Sequence, residues 1–275
     1  GALAEYFGAI EGASLEANKG AYSYAWMIIF AVIAAIMVLI GLYHIRMLPS
    51  NQIPSTTKKT TSEVGRELVA VIANFFTKKH IFYYICFIIL YRLAEGFIMK
   101  IAPLFLRASK EVGGLGLSLK EIGTLNGVFG SAAFVLGSLL AGIYVSKFGL
   151  KRTLFTLCCI FNLPFLAYTF LAVTQPTNVY LIGTCITMEY FGYGFGFVGL
   201  TLFMMQQIAP GKHQMSHYAF ASGIMNLGVM LPGMVSGYFS DLLGYRNFFI
   251  YVLIATIPAF LITYFIPFTY DDSKK

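Results

Sequence analysis

Arg92 and Glu95 stand three residues apart inside an apolar run that begins near Ile81. At about 1.5 Å per residue, Arg92 falls roughly halfway across a bilayer, and the spacing puts both charges on one helical face. Glu189 is another acid, about ten residues into a later apolar run, again near mid-depth. Charges at such depth cost at least about 2.5–3.5 kcal/mol each, so they pair or face a polar cavity and mark a path for a solute or a proton. The chemistry open to them is ion pairing and proton exchange: a carboxylate that loses Arg92 as partner in one conformation takes up a proton. The competing reading is a buried pair, Arg92 with Glu95 or with Glu189, that only fixes helix rotation.

Other residue types add to this set or compete with it. Tyr190 and Tyr193 flank Glu189 and offer a hydroxyl or a stacking face, although aromatic residues make up 16% of the chain and packing is their commoner role. Asn126, Asn162 and Asn226 are amides inside apolar runs, each needing a partner from another helix, a water or a ligand, and Asn226 is the favoured cavity candidate. His213 and His217 have the i, i+4 spacing of helical metal ligands but no third ligand nearby, so no metal is expected. Gly192, Gly194, Gly196 and Gly199 contain a G-x-G-x-x-G string; inside an apolar span it reads as close helix packing, not a dinucleotide site, and no cofactor is expected.

Only membrane helices can position such residues. Of 275 residues, 58% are hydrophobic and 11% charged, with a mean hydropathy of +0.74; soluble domains carry about 25% charged residues. Backbone polar groups in lipid must be satisfied within the segment, which predicts an all-α membrane protein. The apolar runs give seven transmembrane helices: Tyr24 to Ile45, Ile81 to Leu106, Ile122 to Val145, Thr153 to Val173, Val179 to Ile208, Tyr218 to Ser240 and Phe248 to Phe268. Pro103, Pro164 and Pro232 fall inside these runs and are expected to bend them. No disulfide is expected of Cys86, Cys158, Cys159 and Cys185, all of which lie within spans.

The net charge of +7 reports orientation and not nucleic acid. Twelve of the nineteen Lys and Arg residues fall on the side of the 47–80 interval, five on the other, and Arg92 and Lys100 within a span. The positive-inside rule then makes that side and the C-terminus cytoplasmic. The expected organisation is 1–23 as the end of a preceding span plus an outer loop, 24–46 as a helix, and 47–80 as a cytoplasmic linker. A six-helix domain over 81–268 and a tail over 269–275 follow. The linker begins with a Pro/Ser/Thr-rich stretch and continues into an amphipathic helix, with Val64, Leu68, Val71, Ile72, Phe75 and Phe76 at helical spacing. Residue 1 is Gly and not Met, so the numbering is expected to start inside a longer protein.

One pattern recurs 95 positions, or three helices, further on: Gly142-Ile-Tyr-Val-Ser146-Lys147-Phe-Gly149 and Gly237-Tyr-Phe-Ser-Asp241-Leu-Leu-Gly244. An odd number of crossings reverses orientation, which predicts a 3+3 inverted repeat for the last six helices.

These residues resemble the C-terminal half of a major facilitator superfamily transporter, with 24–46 as its sixth helix and a missing N-terminal half. Gly142 to Arg152, including Lys151, is similar to that superfamily's loop motif, with Ser146 where an Asp is usual. Tyr91-Arg-Leu-Ala-Glu-Gly-Phe-Ile-Met-Lys-Ile-Ala-Pro and Phe191-Gly-Tyr-Gly-Phe-Gly-Phe resemble AmpG-type muropeptide permeases and their acetyl-CoA-transporter relatives. The resemblance implies proton-linked movement of a peptidoglycan fragment or amino sugar across a bacterial inner membrane by alternating access. It also leaves open another organic-solute permease or a non-transporting sensor of the same fold. A membrane-embedded acyltransferase or hydrolase using His44, His213 or His217 lacks the Asp, Ser or Cys partners such chemistry needs.

Overall fold

The computed structural model describes residues 2–10, 14, 16–47 and 61–270. Among them every regular element is helical. The Pro/Ser/Thr-rich part of the linker and the 271–275 end lie outside the described residues. The chain divides into two compact units, Gly1–Glu63 and Val64–Lys275.

The first unit holds α1 (Ala2–Tyr6) and α2 (Lys19–Met47). α2 starts at Lys19, ahead of the expected Tyr24, and is apolar all round, with Ala25 buried and side chains such as Trp26, Phe30 and Leu39 exposed. A helix without a polar face suits lipid or other apolar helices.

The second unit takes in most of α3 (Thr61–Phe76), the amphipathic helix expected in the linker. Its Phe75 is fully buried between the rings of His217 and Phe220, and the Val71 carbonyl meets His217 Nε2 at 3.2 Å. The span expected over Ile81 to Leu106 is two helices, α4 (Ile81–Tyr91) and α5 (Leu93–Arg107), separated at Arg92 (φ −102°, ψ 5°). No Gly or Pro marks that break in the sequence. A short α6 (Leu119–Ile122), opened by a Ser118/Glu121 capping box, runs into a π-helical stretch over Gly123–Gly130 and then α7 (Ser131–Phe148).

The next span is α8 (Leu150–Asn162) and α9 (Phe165–Thr174), interrupted at Pro164 as expected. α10 (Val179–Phe203) continues as a π-helical turn over Met204–Ile208. The long α11 (Gln214–Ala255) contains Pro232 and a non-helical Gly244 (φ 70°, ψ 160°), and α12 (Ile257–Tyr264) closes the bundle. Five stretches are long and apolar enough to cross a membrane: Lys19–Met47, Ile81–Arg107, Leu119–Phe148, Leu150–Thr174 and Gln214–Tyr264. The last covers two expected spans in one run, and α10 lies outside the five because its glycines, tyrosines and Glu189 dilute its hydropathy. The chain is an integral membrane protein.

Candidate functional site

Close packing of α10 sets the site. A Cβ on Gly194 would overlap the Phe134 carbonyl of α7, one on Gly192 the Ile160 carbonyl of α8, and one on Gly196 the Phe161 side chain. In the other direction, Gly137 of α7 meets the Phe191 carbonyl, and Gly130 lets the end of the π-helical stretch rest on the Tyr190 ring. With lipid as apolar as Leu, such van der Waals contact between small residues is what holds membrane helices together. Ser138 donates to the Phe134 and Gly194 carbonyls at 2.9 and 3.2 Å, adding a polar tie. On another side, Tyr91 at the end of α4 donates to the Gly196 carbonyl at 2.9 Å.

Tyr91 thereby places the next residue, Arg92, against α10. Arg92 Nε donates to one Glu95 oxygen at 2.6 Å and Arg92 Nη2 to the other at 2.5 Å, a bidentate pair. The two residues are 5% and 6% exposed, and the guanidinium lies 5.4 Å from the centre of the Phe197 ring. Two matched hydrogen bonds and a π-face offset part of the desolvation that burial imposes on both ions. The pairing expected from the three-residue spacing is present, across a helix break and not along one helix.

Glu95 also lines a cavity of about 120 Å³ together with Asn126, Tyr168, Glu189, Tyr190 and Tyr193, its remaining wall being apolar residues of α5. Among the described residues Glu189 has no ion pair or hydrogen bond, and of the two acids Arg92 pairs with Glu95. The Asn126 amide likewise makes no hydrogen bond, and its oxygen is enclosed by protein. Five of the residues singled out in the sequence, Arg92, Glu95, Glu189, Tyr190 and Tyr193, are therefore gathered at one place. Asn226 is exposed on α11 and lies outside the cavity lining, whereas Asn126 is part of it. Tyr168 lines the cavity too, stacked on Phe249 at 5.5 Å, and no pattern in the sequence sets it apart from the chain's other tyrosines.

The two repeat motifs lie elsewhere. Gly149 (φ 77°, ψ 148°) turns α7 into α8, and Gly244, 95 positions later, adopts nearly the same conformation (φ 70°, ψ 160°). This left-handed region favours glycine. In the first motif Ser146 donates to the Ile143 carbonyl at 2.8 Å, and Gly142, Lys147, Lys151 and Arg152 are exposed. In the second, Gly237 and Asp241 are exposed. Among the described residues no three His, Cys, Asp or Glu side chains lie close enough to hold a metal, and His217 is spent on Val71.

The family described as Major Facilitator Superfamily matches residues 1–209. The chain is 23% identical over 209 residues to the anhydromuropeptide permease of Escherichia coli (strain K12), covering 76% of this chain and 41% of that protein. It is 25% identical over 238 residues to a putative transporter AmpG 1 of Rickettsia bellii, covering 85% and 56%, and 27% identical over 204 residues to a putative transporter AmpG 2 of Rickettsia prowazekii, covering 72% and 47%. The chain thus spans about half the length of these relatives.

Proposed function

Because the chain belongs to the Major Facilitator Superfamily, we propose that it works as part of a secondary active transporter moving a peptidoglycan fragment or similar amino sugar across the bacterial inner membrane, coupled to protons, by alternating access. The observation that carries this reading is a single cavity lined by a salt-bridged carboxylate, Glu95 with Arg92, and an unpaired one, Glu189. An acid that holds the cation and one that lacks it form a pair whose proton is traded according to which of them the guanidinium serves. The AmpG-type relatives supply the solute class, and the polar tyrosines and amide of the cavity suit a hydroxyl-rich ligand.

In this reading the chain contributes seven transmembrane helices, the last six as a 3+3 inverted repeat. The matching conformations of Gly149 and Gly244 support the repeat. The chain's share of its relatives' length supports a further N-terminal half completing the solute pathway. The basic excess on the 47–80 side supports a cytoplasmic linker and C-terminus. The break at Arg92 and the prolines inside α5 and α11, Pro103 and Pro232, give the helices places to flex around the cavity, as discontinuous helices do in transporters.

The test is uptake of an anhydromuropeptide into inner-membrane vesicles holding the full-length protein, with and without an imposed proton gradient. Gradient-driven uptake is expected from the wild type, and loss of gradient dependence from Glu95→Gln and Glu189→Gln. Wild-type proton dependence in both variants would sink the coupling role.

A further inference from the structure

We infer that α3 is an interfacial anchor: its apolar face lies in the bilayer surface on the basic side of the protein, and its cations engage acidic phospholipid headgroups. The inference goes beyond the transporter reading and needs only that the chain spans a membrane. α3 (Thr61–Phe76) carries Val64, Leu68, Val71, Ile72 and Phe75 along one stripe at helical spacing. Only the C-terminal end of that stripe is spent on the protein, where Phe75 is buried against His217 and Phe220. Val64, Leu68 and Ile72 are exposed, Leu68 at 59%, and Val69 beside them at 68%.

Such a helix does not account for itself in water. A helix of about this length is marginal in isolation even when rich in alanine, and α3 holds Gly65 and the β-branched Val64, Val69, Val71 and Ile72. Contacts with α11 hold its end, and the turns before it need an apolar surface to lie on. Two observations identify that surface as lipid. Phe76, exposed like the stripe, packs its ring 6.3 Å from that of Phe82, which is 70% exposed at the start of a stretch able to cross a membrane. The open face of α3 therefore runs on into an exposed flank of α4. Only residues 77–80 join the two helices, with His80 left-handed (φ 61°), so α3 stays beside the membrane end of α4. The second observation is charge: residues 58–80 hold Lys58, Lys59, Arg66, Lys78 and Lys79 against Glu63 and Glu67, and Arg66 and Lys79 are exposed. An acidic bilayer answers both features, offering hydrocarbon to the stripe and negative charge to its rim.

The experiment is nitroxide labelling of the full-length protein, native cysteines replaced, in nanodiscs of phosphatidylcholine alone or mixed with phosphatidylglycerol. Labels go on Leu68→Cys, in the stripe, and Ala70→Cys, on the opposite face; both positions are exposed, so neither label disturbs packing. In the mixed nanodisc the Leu68→Cys label is expected to collide with oxygen and be shielded from a water-soluble nickel chelate, while the Ala70→Cys label meets the chelate. Arg66→Gln combined with Lys79→Gln is expected to weaken docking about thirtyfold, at roughly fivefold for each cation near an acidic surface, read as growth of the mobile component of the spectrum. Phosphatidylcholine alone should weaken the docking of the unsubstituted helix in the same direction. A Leu68→Cys label open to the chelate in both bilayers puts the helix in water and overturns the proposal. A label shielded from oxygen and chelate alike is covered by protein, a second copy or another part of the chain, and overturns it too. Docking that is equal in the two bilayers and unmoved by the double variant overturns the assignment to acidic headgroups.

Discussion

α10 presents two faces that follow opposite rules. Toward α7 and α8 it carries Gly192, Gly194 and Gly196, and neighbouring backbone or ring atoms occupy the space a Cβ would take. Toward the cavity it carries Glu189, Tyr190 and Tyr193, and there room is left and a carboxylate stands unpaired. The first face is fixed by contact at every position, so it tolerates no added atom. The second is loosely filled, so it tolerates changes of shape and is sensitive to changes of charge. The difference shows how a membrane helix builds a polar site: close packing on one side supplies the stability that lets the other side stay incomplete.

The sharpest way to break the comparison is to unbalance the ion pair where the two faces meet. Arg92→Met leaves the Glu95 carboxylate buried without its cation, and destabilisation by about 3–5 kcal/mol is expected, read as a large fall in the melting temperature of the detergent-solubilised protein. Arg92→Met combined with Glu95→Leu removes both ions and is expected to recover most of that loss. Equal melting temperatures for the single and double variants would show that the pair contributes no coupling.

Next in size is the packed face. Gly194→Ala puts a methyl group into the Phe134 carbonyl, and about 1–3 kcal/mol of overpacking is expected from the same melting measurement. Gly237→Ala is the control, because nothing lies within 4 Å of the position its Cβ would take. It should melt close to wild type.

A smaller effect is expected where the π-helical continuation of α10 ends. Lys78 Nζ donates to the Ile208 carbonyl and, at 2.8 Å, to the Pro210 carbonyl, so one cation ties the segment after α3 to the end of that helix. Lys78→Met should lower stability by about 1 kcal/mol, since partial exposure screens the charge. Burial pulls the Lys78 ammonium below its ordinary value of 10.5. The sign follows: between the lowered value and 10.5 the unfolded chain binds more protons than the folded one, so Lys78 contributes a stability that rises with pH in that alkaline window. The Lys78→Met variant should lose that rise, as melting temperatures taken across the window will report.

The sequence made one of these faces easier to read than the other. Arg92, Glu95 and Glu189 stand out because charge is rare inside apolar runs, and the glycines stand out by spacing. The choice between Asn126 and Asn226 was not legible, because depth along a span says nothing about which side a residue takes. The π-helical turn also shifts Asn126 away from the position that a regular helical period assigns. The break at Arg92 carries no Gly or Pro signal; the residue at the break pairs with Glu95 three positions on and meets the Phe197 ring of α10, a tertiary contact that local sequence does not announce. Tyr168 reaches the cavity through the packing of α9 against α11, which no local pattern encodes.

The least destabilising change carries the most functional information. Glu189→Gln keeps shape and removes a titratable carboxyl that has no partner among the described residues, so stability should not fall below wild type. If the cavity face is built for exchange and not for holding the fold, this substitution separates the two properties: undiminished melting temperature, lost gradient-driven uptake, and retained exchange of labelled against unlabelled solute, since exchange needs no net proton movement. A Glu189→Gln protein that melts many degrees lower would assign Glu189 to the scaffold, along with the glycines on the opposite face. A variant that keeps both its melting temperature and its gradient dependence would leave Glu95 as the only proton carrier, moving the exchange onto the residue that Arg92 already holds.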